Sequence, residues 1–179
     1  VGLYFTELGK TYYDHADRPV EVHAPNSPIA KYEYDAKGRQ IWSRTFAGSV
    51  EVAKTQTVYD ADDRAIATIR WEPKKDATGD LTDSTAVKSY TYTWYDLAGK
   101  VQATADFGTN NAQNQYAAGN APPAYNPREM DSMPFTRENS SGMATWLSSR
   151  FQTHVQVTCY IYDSAGRQTG VYHPNGAVT

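Results

Sequence analysis

Short stretches of alternating hydrophobic and polar positions run along this chain, each broken by a tight cluster of turn formers. "YEYDAKGRQIW" at 32–42 shows the pattern: Tyr32 and Tyr34 share one phase, Asp35-Ala36-Lys37-Gly38 breaks it, and Ile41 and Trp42 resume an apolar run. Period-two alternation marks a strand, and Asp and Gly close tight bends, so the stretch predicts a β-hairpin. A search for self-similarity finds five copies, at Tyr13-Asp14…Arg18, Tyr34-Asp35…Arg39, Tyr59-Asp60…Arg64, Tyr95-Asp96…Lys100 and Tyr162-Asp163…Arg167. Tyr, Asp and a cation keep their offsets in all five, while the connections between copies lengthen along the chain.

Turn chemistry accounts for those offsets. Asp suits the first position of a type I turn, where its carboxylate accepts backbone N–H groups, which assigns Asp14, Asp35, Asp60, Asp96 and Asp163 to that slot. The fourth position needs positive φ to close a hairpin through a bulge, a torsion that Gly38, Gly99 and Gly166 adopt at little cost. Asp17 and Asp63 stand in the same slot, and their turns are expected to be somewhat strained. The cations at 18, 39, 64, 100 and 167 lie one step further on, within reach of the turn Asp for exposed ion pairs of ~0–1 kcal/mol each. Tyr13, Tyr34, Tyr59, Tyr95 and Tyr162 occupy one fixed strand position, which argues for packing between neighbouring hairpins.

Composition supports a β-rich chain. Fourteen Tyr, 4 Trp and 5 Phe among 179 residues favour strands and large contact surfaces. A net charge of -3 gives no basic footprint, which excludes nucleic acid as the expected partner. No apolar run is long enough to span a bilayer as a helix. The lone Cys159 rules out an internal disulfide. The start at Val1, with neither a basic n-region nor an apolar core of signal-peptide length after it, leads us to expect a segment of a longer chain.

Residues 107–154 interrupt the repeats. "FGTNNAQNQYAAGNAPPAYNP" reads as a long loop, and "SSGMATWLSSRFQT" spaces its apolar residues for a short amphipathic helix near 142–152. The expected organisation is a four-copy hairpin array over 1–106, the insertion over 107–154 and a fifth copy over 155–179. A smaller irregularity, "EPKKDATGDLTDS" at 72–84, reads as a solvated hairpin tip. Its Asp76, Asp80 and Asp83 lack the ligand spacing and distal Glu of an EF-hand.

Candidate chemistry is sparse. His15, His23, His154 and His173 are scattered, and the chain has no zinc spacing, nucleophile elbow or phosphate-binding loop. The turn slot already explains the five leading Asp residues, so neither an enzyme nor a cofactor is expected. Aromatic rings that stack on sugars are better sought off the repeat, at Tyr116, Tyr125 and Trp146.

Tyr-Asp-x-x-Gly-Arg, repeated and followed by a tail such as "QTGVYHPNG", resembles the YD-repeat signature of the Rhs proteins, over 1–106 and 155–179. The pattern departs at Asp17 and Asp63, at Lys100, and at "HPNG" in place of Asp-Pro-x-Gly. The resemblance implies hairpins joined edge to edge into a spiralling sheet or hollow shell, as in bacterial Rhs proteins, shell components of insecticidal toxin complexes and animal teneurins. It implies an extracellular or cell-surface location, flanking repeats of the parent chain as partners, and enclosure of a toxic segment in some bacterial members. A carbohydrate or cell-surface binding module is the alternative. Physics also favours an array, because a single hairpin is marginal in water until neighbours stack on it. The expected fold class is therefore all-β, an antiparallel hairpin array with one long insertion.

Overall fold

A computed structural model describes residues 9–109, 125–127 and 155–173. The expected helix near 142–152, residues 1–8 and the tail from 174 lie outside the described residues. Among those described, the chain is all-β and contains no helix. Ten strands run in chain order: β1 Lys10–Tyr13, β2 Pro19–His23, β3 Ile29–Tyr34, β4 Gln40–Ala47, β5 Val50–Tyr59, β6 Ala65–Pro73, β7 Ala86–Tyr95, β8 Val101–Thr109, β9 Gln156–Tyr162 and β10 Gln168–Tyr172. They form one antiparallel sheet whose spatial order equals the chain order. The strands divide between two compact units, Val1–Val58 with Ile69–Lys88 and Tyr59–Thr68 with Ser89–Thr179.

In the first unit the core is small and aromatic. Trp71, Leu81 and Ala86 are buried, and Trp42 and Ile69 pack against them, with the two indole centroids 5.2 Å apart. The 72–84 segment, read from sequence as a solvated tip, is exposed at most of its positions, but its Leu81 is 4% exposed and joins this core. The tip is tied down further by polar groups. Asp80 Oδ1 accepts the Glu51 backbone N–H at 3.0 Å, and Lys54 donates to the Leu81 carbonyl at 3.0 Å. Glu51, itself buried, is balanced by Lys54 at 3.0 Å and Arg44 at 3.3 Å. A buried carboxylate is tolerated only when such partners compensate its lost hydration.

In the second unit alternation decides burial. Tyr90, Tyr92 and Trp94 of β7, Ala103, Ala105 and Phe107 of β8, and Val157, Cys159 and Ile161 of β9 are all buried. Cross-strand pairs Trp94 with Ala103, Ala103 with Cys159 and Ala105 with Val157 keep them on one face. Small residues on β8 leave room for the aromatics of β7, and Tyr92 meets Phe107 edge-on at 4.8 Å. Phe107 is thus strand core, and β8 runs to Thr109, past the boundary expected at 106.

Candidate functional site

The five Tyr-Asp turns share one geometry, built from the backbone upward. Asp14, Asp35, Asp60, Asp96 and Asp163 each donate their N–H to the carbonyl of the cation four residues on, at 2.9–3.0 Å. Residues 17, 38, 63, 99 and 166 each donate back to the Asp carbonyl, at 2.8–3.3 Å. Those five have positive φ, at 58° for Asp17, 84° for Gly38, 65° for Asp63 and 78° for Gly99 and Gly166. The register slips at the neck of the first, second, fourth and fifth hairpins, the signature of a bulge.

The Asp side chain completes each bend. Its Oδ1 accepts the cation's own N–H in all five copies, at 2.8–3.0 Å. In the four arginine copies Oδ2 accepts from Nε at 2.7–2.8 Å. The Arg18 side chain, then its backbone N–H, hold Asp14 well below the usual carboxylate range, at about 2. The Arg167 backbone N–H, then its guanidinium, lower Asp163 as well. For Asp35 and Asp60 desolvation pushes upward, but the hydrogen bonds from Arg39 and Arg64 outweigh it and the net shift is downward.

The tyrosines link one turn to the next. Tyr34 donates its hydroxyl to the Pro19 carbonyl at 2.8 Å, Tyr95 to Ala65 at 2.9 Å, and Tyr162 to Val101 at 2.8 Å. In each case the acceptor is the residue after the preceding copy's cation. That cation also covers the tyrosine ring: Arg18 lies 4.6 Å from the Tyr34 centroid, Arg64 5.0 Å from Tyr95, and Lys100 5.4 Å from Tyr162. Every junction contained within one unit follows this rule. Tyr59 ends β5, and Tyr13, on β1, is 60% exposed.

Beside the third and fourth turns opens a cleft of about 860 Å³, lined among others by Asp60, Asp62, Arg64, Tyr95, Asp96 and Tyr125. Arg64 bridges Asp60 at 2.7 Å and Asp62 at 3.1 Å, and donates to the Asp96 carbonyl at 3.4 Å. The Asp96 carboxylate takes the N–H groups of Ala98 and Lys100. These charges serve the turns that present them. Burial, then the charge of Asp60, pushes the Tyr125 phenol up to about 12.

Of the three aromatics singled out for sugar contact, Tyr116 and Trp146 lie outside the described residues. Tyr125 stacks on Trp94, with centroids 5.5 Å apart, and donates its hydroxyl to the Thr93 carbonyl at 3.0 Å. Trp94 in turn donates to the Asn126 carbonyl at 2.8 Å. Among the described residues no group of three or more His, Cys, Asp or Glu gathers to hold a metal ion. No helix of the described residues is long and apolar enough to cross a membrane.

The tyrosine-to-carbonyl links escaped the reading of the sequence, because each acceptor is a backbone oxygen and carries no residue signature. The recurrent Tyr and cation were visible; the register that brings one copy's cation to the next copy's ring was not. Comparison with known proteins found no family model that matches the chain and no curated protein that matches it.

Proposed function

We propose that this chain is a structural segment of a YD-repeat β-shell, a stretch of wall in a large secreted or cell-surface protein, with flanking hairpins of the parent chain as its partners. One observation carries the reading: Tyr34, Tyr95 and Tyr162 each dock on the carbonyl and cation presented by the hairpin before them. Such a junction can propagate, since the fourth hairpin both donates to the third through Tyr95 and accepts from the fifth at Val101. Stability then accumulates by nearest-neighbour contacts, as in other repeat arrays. The resemblance of the turn motif to Rhs proteins extends the reading to a sheet that spirals into an enclosure.

Packing in the described part of the insertion supports a wall more than a ligand site. Tyr125 spends its ring face on Trp94 and its hydroxyl on Thr93, so it braces the aromatic face of the second unit. A carbohydrate-binding role would require exposed rings instead. Electron cryo-microscopy of the intact parent protein tests the proposal. The expected density is a continuous antiparallel wall that incorporates this chain between further hairpins. Density for a discrete domain, without hairpins beside β1 and β10, would refute it.

A further inference from the structure

Four of the five turns spend both oxygens of their leading carboxylate on the bend and its arginine, and the fourth does not. Asp14, Asp35 and Asp60 give Oδ2 to both Nε and Nη2 of their own arginine, at 2.6–2.7 Å. Asp163 gives it to Nε of Arg167 at 2.8 Å. At Asp96, Oδ1 takes the N–H groups of Ala98 and Lys100, but among the described residues Oδ2 takes neither a hydrogen bond nor an ion pair. Lys100 is the cause. Arg18 and Arg64 each hold their own Asp and cover the next tyrosine ring at once. A planar guanidinium fork serves two partners, whereas an ammonium is a point charge. Lys100 Nζ goes to the Tyr162 ring, 5.4 Å from its centroid, and leaves Asp96 without a cation.

Asp96 lines the cleft of about 860 Å³ beside the third and fourth turns. The charged residues of that lining are three carboxylates, Asp60, Asp62 and Asp96, and one guanidinium, Arg64. Arg64 is committed to Asp60 and Asp62, so it does not serve the Asp96 carboxylate. Next to Asp96, Leu97 is fully exposed. We propose that this cleft docks an arginine side chain of a partner polypeptide, whose guanidinium binds Asp96 Oδ2 in the manner of the arginine turns. The incoming group reproduces from outside what Arg18, Arg39 and Arg64 do from four positions along their own turns. An excess of carboxylates in the lining favours a cation over a neutral or anionic side chain. An apolar residue beside the incoming arginine covers Leu97, which removes its surface from water. The inference goes beyond the wall reading and stands without it, because every residue it uses lies within the second unit.

Heteronuclear NMR titration of the isotope-labelled 179-residue chain with the peptide acetyl-Leu-Arg-Leu-amide tests the proposal. The titration runs to about 10 mM, because one charge-assisted contact gives a dissociation constant on the order of 1 mM. The amides of Ala98 and Lys100, which bond to the Asp96 carboxylate, are expected to shift saturably, while those of Ala165 and Arg167 in the fifth turn stay in place. The citrulline counterpart, neutral and of the same shape, is expected to bind at least about tenfold more weakly, and the lysine counterpart at least about threefold. Asp96→Asn is expected to weaken the arginine peptide at least about tenfold. Lys100→Arg supplies a guanidinium from within the turn while still covering Tyr162, and is expected to abolish the response in a folded chain. That variant decides the matter if Asp96→Asn disturbs its turn, and the dispersion of each spectrum reports folding. Absence of a saturable shift at Ala98 and Lys100 overturns the proposal. So does binding that survives Lys100→Arg, or a citrulline or lysine peptide that binds as tightly as the arginine peptide.

Discussion

Tyr34 reaches back to Pro19, fifteen positions earlier in the chain, and gives its hydroxyl to that residue's carbonyl at 2.8 Å. The adjoining Arg18 covers the ring, so a single side chain joins two hairpins through a hydrogen bond and a cation–π contact.

Removing only the hydroxyl should expose the worth of such a link. Tyr95→Phe keeps the ring under Arg64 and deletes the bond to Ala65, and is expected to destabilise by about 0.5–1.5 kcal/mol. Tyr13→Phe, measured in dilute solution, should change stability by less than about 0.5 kcal/mol, as at other exposed sites. Urea unfolding of both variants makes the comparison; equal losses would show that the Ala65 bond contributes nothing.

Backbone torsion gives opposite signs at equivalent turn positions. Gly38 sits at φ 84°, where a β-branched residue is strained, and a Cβ there would meet Arg18 Nη1 at 3.2 Å. Gly38→Val should therefore lower stability by ~1–3 kcal/mol. Asp17 already bears a left-handed torsion at φ 58°, so Asp17→Gly should be neutral or stabilising. Thermal melts that shift both variants downward by the same amount would contradict the turn assignment.

Gly99 and Gly166 share a φ of 78° yet differ in surroundings: a Cβ on Gly99 meets nothing within 4 Å, whereas one on Gly166 strikes the Lys100 ammonium. Gly99→Ala should cost ~1–2 kcal/mol from torsion alone. Gly166→Ala should cost more, because Lys100 must also leave the Tyr162 ring. In a Lys100→Ala background the excess should vanish, a coupling that a double-mutant cycle reads directly.

Acid should unfold the chain through the turn carboxylates. Asp14 falls from its ordinary 3.8 to about 2 because of Arg18, and Asp35, Asp60 and Asp163 are lowered too. A carboxylate more acidic in the folded state favours folding above its unfolded value and loses that contribution as pH falls through the folded one. Stability is thus expected to hold above about pH 5 and to decline between about 4 and 2. Asp14→Asn should flatten the decline; an unchanged acid limb would show that this turn does not contribute.

Cys159 offers a probe of the second unit. It is fully buried between Ala103 and Tyr172, and burial pushes its thiol up to about 12. A thiol reagent should label it only when the strands around it open, at a rate that follows denaturant. Fast labelling of native protein would show that β8 to β10 open readily.

Much of the architecture is legible one hairpin at a time, and the misreadings fall where distant residues intervene. Phe107 follows an aspartate and opens an Asn-rich stretch, yet Tyr92 of β7 draws it into the strand core. Leu81 stands among Asp, Gly and Thr, yet Trp71 and Ala86 enclose it. Tyr125 reads as a ring on a loop until Trp94 lies beneath it. For Phe107 and Leu81, neighbours in sequence advertise solvent while a partner supplied by the sheet removes it.

The bends belong to the sequence alone, because an Asp carboxylate, its own backbone and a residue able to take positive φ act within five positions. So does the alternation that makes the chain all-β. Which face is buried, which carbonyl meets each tyrosine and which cation covers its ring were decided only by the sheet, since those contacts join residues fifteen, thirty or sixty-one positions apart. Their geometry comes into being when strand register is set, and register is a property of paired strands.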